Sequence, residues 1–205
     1  NDLLDKADEL LHSKLGLPVF DENLVPYLTA SKSKNQSAPD LPHPKAFAIN
    51  VSDLANRFDG SYHIPIVREV YKLLKQGKYT SVLLSKLTQE IHLPGRFKRL
   101  YVKKEYGVPS HLPQSRTIDL GYISYLTPTL ESLSLHKGDV LITTDGTVGT
   151  ISLVTSRTDK WAGSNNIARV TYSVSDNRNG FLAAFLMTPY GYYQLTREIY
   201  GGVVD

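Results

Sequence analysis

Six basic side chains crowd into one stretch of the chain. Arg96, Lys98, Arg99, Lys103, Lys104 and Arg116 face a lone acid, Glu105, so residues 96–116 carry a net charge of +5. Phe97, Tyr101 and Tyr106 are interleaved among them. Lysine and arginine neutralise phosphates, while aromatic and polar side chains meet sugars and base edges. A strand over Phe97–Val102 would alternate Lys98, Leu100 and Val102 with Arg99, Tyr101 and Lys103, dividing the charges between two faces. The same composition also suits an edge strand that lysines guard against pairing.

Two polar loops add to this. Thr143 to Thr150 joins two strand-like runs, and its Asp145-Gly146 pair is a hairpin-turn signal. Its hydroxyls, those of Thr144 and Thr147, can still meet phosphates, but no Gly-Lys-Ser/Thr follows to make it a P-loop. Ser164-Asn165-Asn166 comes soon after Lys160 and Trp161. An asparagine amide can bond bidentately to adenine, although asparagine pairs are equally at home in ordinary loops. Together these give the candidates. Arg96, Lys98, Arg99, Lys103 and Lys104 would mainly position phosphates, Gln114, Arg116, Thr147, Asn165 and Asn166 would reach base edges, and Tyr101, Thr144 and Lys160 complete the DNA-binding candidates.

Catalytic patterns are missing from the sequence. It has no Asp/Glu-x-Lys, no His-Glu-x-x-His, no Gly-x-Ser-x-Gly and no adjacent prolines, and its six histidines (His12, His43, His63, His92, His111, His136) are scattered singly. With zero cysteines there is no disulfide, thiol nucleophile or cysteine-ligated metal. Nothing assembles a nucleophile, a base and oxyanion donors, so a non-catalytic module with no metal and no cofactor is expected.

The elements that must position the candidates follow from periodicity. Leu3, Leu4, Ala7, Leu10 and Leu11 predict an amphipathic helix over residues 1–14, stopped by Gly16 and Pro18. A second helix is expected at 66–75, opened by Pro65 and closed by Gly77. Short β-branched or aromatic runs predict strands at Val82–Leu84, Phe97–Val102, Ile118–Leu126, Asp139–Thr143, Thr150–Val154 and Ile167–Tyr172. Two closing helices are expected, Gly180–Thr188 with Phe181, Ala184 and Phe185 on one face, and Pro189–Ile199. The class is α+β, a twisted mixed or antiparallel sheet flanked by helices. The expected domains are an N-terminal helix at 1–17, a linker or long loop at 18–45 and one domain at 46–205. The whole is 205 residues with 23 Lys+Arg against 20 Asp+Glu, enough for a real core and without an apolar run long enough to span a membrane. The modest total of +3 conceals an acidic start, since residues 1–31 carry −4. The chain begins at Asn1 and reads as a fragment.

Several segments resemble, in order, those of one protein family. Arg57-Phe58-Asp59-Gly60-Ser61-Tyr62-His63-Ile64-Pro65 is similar to the Arg-Leu-Asp-x-x-Tyr-x-x-Pro opening segment of restriction–modification DNA specificity proteins. Arg96 to Val102 with Gly107-Val108-Pro109 resembles the strand and turn that follow there. Lys137-Gly138-Asp139-Val140-Leu141 through Gly146-Thr147-Val148-Gly149 resembles their Gly-Asp hairpin. Phe181 to Leu186, Gly191, Gln194-Leu195 and Gly201-Gly202 resemble their closing helices and glycine pair. The resemblance implies a target recognition domain of a type I specificity subunit. Such a domain reads one half-site of double-stranded DNA in the bacterial cytoplasm, as part of a defence system. Methyltransferase and restriction (motor) subunits are its partners and do the chemistry. Typical subunits hold two such domains separated by long helices. This chain holds one, so residues 1–14 would be either the end of a spacer helix or the start of a half-size subunit. The competing expectation is a protein–protein interaction module without DNA specificity, suggested by the 13 tyrosines.

Overall fold

The computed structural model describes residues 2–20, 48–54, 56–60, 62–111, 121–145, 147–172 and 178–197. Among these, helices α1 (Asp2–Leu15), α2 (Pro65–Leu74), the single turn α3 (Leu130–Leu133), α4 (Arg178–Met187) and α5 (Pro189–Thr196) accompany eight strands. The strands are β1 (Thr88–His92), β2 (Tyr101–Val102), β3 (Gly107–His111), β4 (Tyr122–Ser124), β5 (Val140–Thr143), β6 (Ile151–Leu153), β7 (Ala162–Gly163) and β8 (Ile167–Tyr172). The fold is α+β. It divides into two compact units, residues 1–81 with 188–205, and residues 82–187.

The first unit is helical. At the end of α1, Gly16 adopts φ +61°, its N–H bonds the Ser13 carbonyl and the Leu17 N–H bonds that of His12. Those paired bonds define a Schellman stop, which a glycine satisfies at little steric cost. Of the apolar stripe expected on α1, only Leu10 and Leu11 have described side chains. Leu10 is 59% exposed, whereas His12 is buried edge-on against Tyr190 at 5.5 Å. Leu11 and Leu15 are half-buried beside His12, where Tyr190 packs edge-on against both His12 and Phe20. Pro65 opens α2, which buries Ile66, Val67 and Val70. In α5, Thr188 caps the first turn by accepting the Gly191 N–H, with Pro189 at the first helical position. The buried Tyr190 hydroxyl donates to the Pro18 carbonyl at 2.7 Å, and burial together with the Glu69 carboxylate pushes its pKa up.

Tyr62 is the hub of this unit. The Arg57 guanidinium lies 4.3 Å from its ring centre and that of Arg197 lies 3.7 Å away. Arg57 also bonds both carboxylate oxygens of Asp59, at 2.9 and 2.8 Å. Arg197 donates to the Tyr62 carbonyl at 3.2 Å, and His63 contacts the Arg57 carbonyl at 2.6 Å through Nε2. The Arg57–Pro65 segment therefore works as a latch that seats the start of α2. The expected linker lies outside the described residues beyond Phe20.

The second unit carries two four-stranded sheets, ordered β1-β8-β5-β6 and β2-β4-β3-β7. One sheet was expected from the sequence. The β5–β6 hairpin recruits β8 and then β1, all antiparallel, and the β3–β4 pair recruits β2 and a parallel β7. β5 is buried at every position. Leu135, Leu141, Val154 and Ile167 form one core cluster with Trp161 against it, and Ile123, Leu133 and Ala162 form another. Each leucine, isoleucine or valine among them contributes about 1.5–3 kcal/mol by burial.

Expected and observed strands differ where chemistry disguises the chain. Val82–Leu84 is not a strand: it has no partner and Leu83 is 69% exposed. Of Phe97–Val102, only the last two residues pair. Gly107-Val108-Pro109 is not a turn but the start of β3, where a Cβ on Gly107 would strike the Ile123 carbonyl. In α4 the side chains facing the core are Leu182, Ala183 and Leu186, and the shared face of Phe181, Ala184 and Phe185 points outward.

Candidate nucleic-acid interface

Asp139 organises the scaffold beneath the candidate residues. It is 2% exposed, and its carboxylate accepts the His136 N–H at 2.8 Å and the Thr171 hydroxyl at 2.9 Å. Arg169 lies 3.8 Å away and donates to the Ser134 carbonyl. Gly138, at φ +98°, makes the tight turn that lets Asp139 fold back on His136. The Lys-Gly-Asp motif is thus a structural device that fixes the start of β5. The hairpin expected after it is present, with Val140 paired to Leu153 and Ile142 to Ile151, while Gly146 lies outside the described residues. At the far end of the loop Gly149 takes φ +84°, with its N–H on the Thr143 carbonyl.

Candidates from three sequence-distant segments meet above this scaffold. Arg99 donates through Nη2 to Ser164 Oγ at 3.0 Å and to Asn165 Oδ1 at 2.5 Å. Ser164, buried at 3% exposure, also accepts the Asn166 N–H at 3.3 Å. The Asn166 carbonyl in turn accepts the Thr144 N–H at 2.8 Å. One hydrogen-bonded chain therefore joins the basic stretch, the 164–166 turn and the end of β5. Ser164 is the member that sequence reasoning missed. Its only signal was its place before two asparagines.

The remaining basic candidates stand apart from this chain. Arg96, Lys98, Lys103 and Lys104 are exposed, and among the described residues their side chains make no hydrogen bond or ion pair. Tyr101, Tyr106 and Tyr125 are 55%, 65% and 58% exposed on the same β2–β4 side, where the Tyr125 N–H bonds the Tyr106 carbonyl. Tyr101 lies over Gly121, where a Cβ would come within 2.7 Å of its ring. Thr147 is exposed, and its carbonyl accepts the Thr150 hydroxyl. Lys160 is exposed at φ +62°, its N–H tied to the Leu135 carbonyl at 2.8 Å. Gln114 and Arg116 lie outside the described residues.

Two other features of this unit have chemical potential. A hollow of about 440 Å³ is walled by Val108, Pro128, Leu130 and Trp161, with Glu131 and Lys160 also lining it. The Thr127 hydroxyl, buried among the lining residues, has no hydrogen-bond partner among the described residues. Separately, His111 Nε2 lies 3.3 Å from Ser152 Oγ, and burial pushes the imidazole pKa down. Trp161 packs edge-on against that ring at 6.1 Å, and no carboxylate among the described residues contacts it. A serine–histidine pair without an orienting acid lacks the third member of a triad. The described residues contain no group of three or more metal-ligating side chains, and no helix among them is long and apolar enough to cross a membrane.

No protein-family model matches this chain, and no curated protein matches it.

Proposed function

We propose that the second unit binds double-stranded DNA and reads one half-site as the specificity component of a restriction–modification system. In this reading it is a cytoplasmic, non-catalytic module, and methyltransferase and restriction subunits would act on the DNA it selects. The observation that carries the proposal is the Arg99–Ser164–Asn166–Thr144 chain, which fastens a strongly basic segment to a loop bearing two asparagine amides. Cations without protein partners suit phosphates, and amides beside them suit base edges. Burial of Asp139 and the hairpin it anchors hold that loop on a rigid sheet, as precise readout requires.

The test is selection from a randomised duplex pool at two salt concentrations. An enriched short half-site whose recovery weakens with salt is the expected result. Recovery of nothing even at low salt would overturn the reading. A protein-interaction module would then take its place, for which the exposed Tyr101, Tyr106 and Tyr125 are the specific observation.

A further inference from the structure

The contacts of Arg99 give its two neighbouring asparagines different chemistry. A guanidinium has donors only, so the Asn165 atom that meets Arg99 Nη2 must be the amide oxygen, as found at 2.5 Å. That bond takes one of the oxygen's two lone pairs and holds the oxygen towards Arg99, so the NH2 group is the part of the Asn165 amide left without a partner among the described residues. Asn166 is held by its backbone alone, its N–H on Ser164 Oγ and its carbonyl on the Thr144 N–H. Its side-chain amide makes no hydrogen bond among the described residues, so both its donor and its acceptor remain available. Ser164 is buried and couples the two, since Arg99 and the Asn166 N–H share its hydroxyl oxygen.

We propose that Arg99 is a positioning residue for base readout: by holding the Asn165 oxygen it directs that amide's NH2 group to a base acceptor, and it leaves Asn166 as a donor-plus-acceptor reader of adenine. In the major groove a donor alone fits guanine N7 or O6, adenine N7 or thymine O4, and does not fit the cytosine amino group. A donor beside an acceptor fits adenine N7 and N6. Phosphate contact is left to Lys98, Lys103 and Lys104, whose side chains make no competing bonds among the described residues. This inference rests on the DNA reading above and assigns separate tasks to residues within it.

The experiment is the same duplex selection, run on the wild type, Arg99→Ala, Arg99→Lys, Asn165→Ala and Lys103→Ala, with thermal unfolding of each. The wild type should enrich adenine at one position and exclude cytosine at a second. Arg99→Ala should cut discrimination at both positions about tenfold or more while the salt dependence of binding changes little. Arg99→Lys, whose ammonium can still donate to both oxygens, should recover part of it. Asn165→Ala should release only the position that excludes cytosine. Lys103→Ala should weaken every sequence alike and lower the salt slope by about 0.9. If Arg99→Ala instead behaves like Lys103→Ala, with the preferred sequence intact, Arg99 is a phosphate contact and the inference falls while the DNA reading stands. Failure of the wild type to bind any duplex would sink the DNA reading and the inference together. Should Arg99→Ala unfold, Asn165→Ala decides: loss of adenine preference in that variant overturns the division of labour.

Discussion

Arginine serves opposite ends in the two units. In the helical unit, Arg57 and Arg197 both lie over the Tyr62 ring, and their donors go to Asp59 and to the Tyr62 carbonyl. In the sheet unit, Arg96, Lys98, Lys103 and Lys104 reach into solvent without such partners among the described residues, and Arg99 holds a loop. A cation whose donors are taken by its own protein stabilises a fold. One held out with its donors unclaimed costs stability through repulsion and repays it only when an anion arrives. Net charge does not separate these cases; partners do.

The contrast breaks most sharply at the buried charge. Asp139→Ala should cost the sheet unit about 3–5 kcal/mol, because Arg169, Thr171 and the His136 N–H lose a buried partner. Urea unfolding followed by circular dichroism reads this. On the helical side, Tyr62→Ala should destabilise by about 2–3 kcal/mol, from lost aromatic burial and two lost cation–ring contacts. The same unfolding experiment reads this loss, while a duplex-binding titration of the folded variant should show unchanged DNA affinity. Replacing Lys98, Lys103 and Lys104 together by alanine should leave stability within about 0.5 kcal/mol. The slope of log affinity against log salt should nonetheless fall by about 2.7, at roughly 0.9 for each neutralised phosphate. A stability loss in that triple variant would place those lysines with Arg57 rather than opposite it.

The smallest effect concerns His111. Burial lowers its folded pKa below the unfolded value of about 6.5, so the unfolded chain binds more protons between the two. The stability linked to this group is complete above the unfolded pKa and declines as pH falls towards the folded one. His111→Gln should remove that portion of the acid slope, measured as unfolding midpoints across the mildly acidic range.

Much of the scaffold is legible in the sequence. β8 falls where its β-branched pattern predicts, and α2 lies within a residue of its expected bounds, because hydrophobic period and helix stops are local signals. β3 was illegible because Gly107 and Pro109 imitate a turn, and its glycine is demanded by a close carbonyl on another strand. β1 was missed because Thr88-Gln89-Glu90-Ile91-His92 is an exposed edge sequence paired only to β8. Of the candidate site, the sequence displays the charges and the asparagines. It cannot display that Arg99 finds Ser164 and Asn165 some 65 residues onward, since tertiary pairing leaves no local periodicity.

The chain's only tryptophan, Trp161, stands three residues before Ser164 and packs on His111 and the Leu135–Ile167 core. Its emission therefore belongs wholly to the sheet unit, and the tyrosine-rich helical unit is silent when tryptophan alone is excited. The protein thus carries its own optical probe beside the asparagine turn. Occupancy of that turn and melting of the helical unit become separate signals in one cuvette, with no label attached.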